Sequence, residues 1–89
     1  MSTPQPELPE ITAAMILAAL PILSTREAEI LEWDIRAKTD PEIAEILGLA
    51  PGTIHVVHSR IFLKLQVPNR VGAVVTTLYA ALWNLWRKK

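Results

Sequence analysis

The sequence predicts an all-α fold, a four-helix bundle built around a helix-turn-helix with an additional short helix at its N-terminal end. Three observations carry this. Two capping-box spacings, Ser24-Thr25-Arg26-Glu27 and Thr39-Asp40-Pro41-Glu42, open helices fifteen residues apart. Apolar residues recur at three- and four-residue intervals through the segments that follow. No Asn-Gly turn or alternating apolar pattern argues for strands.

Residues 1–10 hold three of the seven prolines and little that packs, so a flexible arm is expected. A short helix is expected within 11–21: Ile11 to Leu20 is almost wholly apolar and rich in Ala, Leu and Met, and Pro21 stops it. Residues 22–89 form the main domain. Its first helix runs from the Ser24 box to near Arg36, with Ile30, Leu31 and Ile35 inward. The second begins at the Thr39 box, tolerates Pro41 in its first turn, and stops at Gly48. The third spans about Pro51 to Gln66, with Ile54, His58, Ile61 and Leu65 on one face and Phe62 beside them. Asn69 caps a fourth helix that reaches nearly to the C-terminus.

Composition limits the chemistry. There is no cysteine, which excludes disulfides and thiolate metal sites, and two histidines without a ligand cluster give no metal site. No cofactor is expected. No nucleophile–base pair is visible, and Glu27, Glu29 and Glu32 read as helix-start and outer-face residues, so an enzyme is not expected. Val71 to Trp86 is uncharged for 16 residues, short of the roughly 20 apolar residues that a membrane span requires. The net charge of zero hides an asymmetry: nine acids and three bases up to Glu45 give −6, and six bases with no acid from Ile46 onward give +6. Such a division suits a chain that meets a polyanion on one side.

Two short helices joined by Gly48-Leu49-Ala50-Pro51 make a helix-turn-helix, whose second member can enter a major groove about 12 Å wide. The residues around it resemble LuxR/GerE-type domains. Leu23-Ser24-x-Arg26-Glu27-x-Glu29-Ile30-Leu31 resembles their LT-x-RE-x-E-V-L opening, and Glu42-Ile43-Ala44-x-x-Leu47-Gly48-Leu49 their E-I-A-x-x-L-x-I. Thr53-Ile54 matches T-V, and Ile61-x-x-Lys64-Leu65-x-Val67-x-Asn69-Arg70-x-x-Ala73 matches I-x-x-K-L-x-V-x-N-R-x-x-A. Sigma-factor promoter-binding domains share the first two motifs; the last one separates them. The likeness covers Leu23 to Val75 without a gap.

The resemblance implies a DNA-binding transcription regulator of the bacterial cytoplasm, acting as a homodimer on double-stranded DNA. By position, Thr53 and Lys64 would contact phosphates, with Arg70 as a further backbone contact. His55, Val56 and Ser59 stand where side chains reach base edges, with Arg60 on the same outward side. The fourth helix would pair the two copies. Val71, Val74, Val75, Leu78, Leu82 and Leu85 read as its core stripe. The small side opposite, Gly72, Thr76 and Ala80 with Trp83 beyond, reads as the dimer interface. Packing of that small side against Ile11–Leu20 of the same chain is the alternative.

The departures from the pattern are informative. The family usually has Lys in place of His55, His in place of Val57 and an apolar residue in place of His58. It commonly has a charged residue at Leu63, Asn at Asp40, Lys at Pro41, Ser at Ala50 and Gly at Ala37. Asp34-Ile35 also looks locally altered. Fewer cations and an outward Val56, Val57 and Leu63 motivate a second reading, a degenerate helix-turn-helix that acts by pairing with another regulator.

Overall fold

All but one of the helices described begin where a nearby side chain can replace the backbone partners that a first turn lacks. The computed structural model describes residues 10–88. Five helices follow in order: α1 (Ala13–Ala19), α2 (Thr25–Ile35), α3 (Asp40–Leu47), α4 (Pro51–Leu65) and α5 (Arg70–Arg87). Among the described residues there is no strand, in agreement with the predicted class. The arm expected over residues 1–10 lies outside the described residues except for Glu10.

Ser24 and Thr39 each accept a bond from the backbone N–H three residues on, and Glu27 and Glu42 each return one to the cap. Both predicted capping boxes therefore form. Asn69 Oδ1 accepts from the Gly72 N–H at 2.9 Å and opens α5. Ala50 has no side-chain oxygen to offer, so α4 begins on Pro51 without a side-chain cap. At the other ends, Gly48 closes α3 with φ of 68°. Ala37 and Gln66 adopt the same left-handed backbone, with φ of 61° and 57°, although both carry a Cβ. That conformation costs a residue other than glycine about 1–2 kcal/mol.

The core is a run of branched side chains, one or two from each of α1 to α4. Ile16, Ile30, Leu31, Ile43, Ile54 and Ile61 are fully enclosed. Helix α4 packs against α2, α3 and α5, and α1 lies across α2 and α5. Polar bonds fasten α1 as well: Glu32 Oε1 accepts from the Ala13 N–H at 2.6 Å, and Arg36 pairs with Glu10 at 2.8 Å. The short N-terminal helix is thus part of the fold, and Glu32 is one of its anchors.

The faces of α5 are the reverse of those expected. Ala73, Thr77, Ala81 and Asn84 are buried, whereas Val71, Val75, Leu82 and Leu85 are exposed and Val74 and Leu78 only half-buried. The reason is steric. The face that meets α1 and α2 carries small residues, which let the backbones approach where valine and leucine would hold them apart. Of the four residues expected at a dimer interface, Gly72, Thr76 and Ala80 are half-buried on the flank of that packed face, and Trp83 is exposed. A Cβ on Gly72 would meet Val67 Cβ at 3.1 Å, so the glycine lets the start of α5 sit close to the turn before it. The outward face now carries the large residues, with Tyr79 76% exposed and Trp83 stacked on Trp86 at 5.1 Å between ring centroids. Among the described residues no single helix is long and apolar enough to cross a membrane.

Candidate nucleic-acid interface

A short turn after Gly48 sets α3 and α4 at 106° to one another, within the range of about 90–120° of a helix-turn-helix corner. Because α3 takes only one side of α4, the opposite side is left to solvent. The inward side of α4 consists of Ile54, Val57, His58 and Ile61. The outward side brings together Thr53, His55, Val56, Ser59 and Arg60, all exposed, followed by Leu63 at 79% exposure. Five of the seven residues expected to meet DNA thus share one strip, as a 100° advance per residue dictates. Ser59 Oγ donates to the His55 carbonyl at 3.2 Å. Val57 does not belong to this strip: it is 5% exposed and part of the core. It lies three residues after Ile54, on the same face.

The two other expected contacts are differently placed. Lys64 Nζ lies 2.7 Å from Glu27 Oε1, so its charge is matched within the domain. Glu27 is itself buried, and burial raises the energy of its ionised form. The Lys64 ammonium and the Ser24 N–H outweigh that cost and hold its carboxyl below the usual glutamate range. Arg70 Nη2 bonds Asp40 Oδ1, and Arg70 Nε stands 3.7 Å from Asp34 Oδ1. Arg60 is therefore the lysine or arginine of α4 that carries no ion pair among the described residues.

Behind the strip lies a cluster the sequence did not assemble. His58 Nε2 is 2.8 Å from Asp34 Oδ2, and both side chains are shut from solvent. Two of the positions at which the chain departs from the family's pattern are thus partners across the core. Each departure was visible singly. Their pairing was not, because 24 residues and a helix corner separate them. Phe62 stacks on the same imidazole, with centroids 5.8 Å apart. Among the described residues there is no group of three or more His, Cys, Asp and Glu placed to hold a metal ion.

Residues 21–77 match the family model described as bacterial regulatory proteins, luxR family. Among curated proteins, the chain is 42% identical over 57 residues to the quorum sensing-dependent transcriptional regulator VjbR of Brucella ovis, covering 64% of this chain and 22% of that one. It is 38% identical over 61 residues to the transcriptional activator SolR of Ralstonia solanacearum, 68% of this chain and 26% of the other. With the quorum-sensing regulator RhlR of Pseudomonas aeruginosa it shares 34% identity over 79 residues, 89% of this chain and 32% of the other. The chain thus spans between about a fifth and a third of the length of these relatives. No solved structure matches it. With a corner of 106° between α3 and α4, an outward strip on α4 and a family match over most of its length, this chain belongs to the luxR family of bacterial regulatory proteins and carries that family's helix-turn-helix domain.

Proposed function

We propose that this chain binds double-stranded DNA through the outward strip of α4 and regulates transcription as a homodimer in the bacterial cytoplasm, without catalysing a reaction. The observation that carries the reading is the strip itself. Thr53, His55, Val56, Ser59 and Arg60 stand clear of the protein on a helix held nearly at right angles to its predecessor. A helix so presented fits the major groove, with Thr53 and Arg60 against phosphates and His55, Val56 and Ser59 toward base edges. Because Lys64 and Arg70 spend their charges on Glu27 and Asp40, few phosphates are neutralised. Binding is then modest and salt-sensitive.

Pairing would use the outward face of α5, where Val75, Tyr79 and Leu82 join Trp83, with Gly72, Thr76 and Ala80 at its margin. Selection of bound sequences from a random duplex library tests the DNA reading. A preferred site that changes in His55→Ala supports it, and recovery of unenriched DNA argues against it. One observation favours a second reading, in which the domain acts by pairing with another regulator: Val56 and Leu63 make the outer side of α4 partly apolar. Fluorescence anisotropy with random duplex at low salt separates the two, because that reading predicts no binding.

A further inference from the structure

Three helices pack against α4, and each sends one charged side chain to the same imidazole. Asp34 of α2 meets His58 Nε2 at 2.8 Å. Asp40 of α3 lies 3.6 Å from Nδ1, and Arg70 of α5 reaches Nδ1 with Nη2 at 3.3 Å. The ring sits on the buried side of α4, directly behind Ser59 and Arg60. With a neutral ring, two carboxylates face one guanidinium and the cluster holds a net charge of −1. Asp34 Oδ1 is buried without a hydrogen-bond partner among the described residues and has only the Arg70 guanidinium near it, with Nε at 3.7 Å.

The partners decide what a proton does, because a carboxylate only accepts and a guanidinium only donates. In the neutral ring, Nε2–H donates to Asp34 and Nδ1 accepts from Arg70. Once Nδ1 carries a hydrogen it no longer accepts, so the guanidinium and the ring face each other as two donors. The acceptor within reach is then Asp40 Oδ1, the atom that Arg70 holds. Imidazole is the side-chain type that changes charge between about pH 5 and 8. We propose that His58 is a positioning residue for DNA binding, and that a proton taken from solvent onto its Nδ1 exchanges Arg70 for Asp40 and frees the guanidinium for a phosphate. Arg70 is already 39% exposed at its side chain, so the turn outward is short. This role rests on the DNA-binding reading above.

The test uses a labelled random duplex with the full chain and with its His58→Gln variant, so that whatever His55 contributes is common to both. The slope of log affinity against log salt is measured at about pH 8 and about pH 6. One more phosphate neutralised at the lower pH should steepen it by about one. His58→Gln should remove that steepening. Equal slopes in the parent, or the same steepening in His58→Gln, would overturn the role of His58 while leaving DNA binding standing. No binding at either pH would instead remove the DNA reading and this role together. Nitrogen-15 spectra of the histidines give a readout that needs neither DNA nor the His58 variant. The expected proton at about pH 8 is on Nε2, and a proton on Nδ1 there would overturn the exchange.

Discussion

His58 Nε2 lies 2.8 Å from Asp34 Oδ2 in the interior, joining the outward-presented helix α4 to α2 by a polar bond rather than by apolar packing. Such a pair holds its register strongly but contributes little net stability, because both groups lose their water. Breaking it from one side leaves the other group buried without its partner. Asp34→Ala and His58→Val should therefore each destabilise the fold by about 2–3 kcal/mol. The double variant should lose less than the sum by about 2 kcal/mol. Urea denaturation of the four proteins measures this, and strict additivity would show that the two residues do not act as a pair.

Ala37 follows the C-terminal cap of α2 in a left-handed conformation, with φ of 61°. It is exposed, so a smaller residue there loses no packing. Relief of the Cβ clash outweighs the extra freedom that glycine gives the unfolded chain. Ala37→Gly should gain about 0.5–1 kcal/mol and raise Tm by about 3–6 °C. A lower Tm by calorimetry would contradict the backbone geometry at this turn.

Glu27 carries two duties, the return bond to Ser24 and the ion pair with Lys64. Its carboxyl is held below the usual glutamate range, so its ionised form contributes stability in full above that range. The contribution is lost as pH falls through the lowered value. Glu27→Gln should thus cost about 1–2 kcal/mol near neutral pH. The gap to the parent should narrow as acid protonates Glu27. A gap independent of pH would contradict the ionised pair.

The outward face of α5 gives the pairing a direct handle. Tyr79 is among its most exposed residues, so Tyr79→Glu should leave the monomer folded while placing a charge in any interface built there. Light scattering at high concentration should show the parent as a dimer and the variant as a monomer. A parent that stays monomeric throughout would set the homodimer aside.

Much of this was legible in the sequence because it is local. Ser24, Thr39, Gly48 and Asn69 mark helix ends by contacts made within a few residues, and the outward strip of α4 follows from helical periodicity alone. What could not be read depends on which helices lie against which. The larger apolar residues of α5 lie on its outward side, so hydrophobicity alone points to the wrong face. Its orientation is decided by how closely α1 and α2 approach Ala73, Thr77 and Ala81. Lys64 and Arg70 are surface cations by type, and only the folded arrangement places Glu27 and Asp40 beside them.

The strip on α4 is tested most directly by following backbone amide shifts of the full chain as random duplex is added at low salt. Thr53, His55, Val56, Ser59 and Arg60 should move most, with Ile16 and Ala28 in the far core unmoved. Shifts gathered on α1 and the outer face of α5, with the α4 amides still, would contradict the proposed mode of binding.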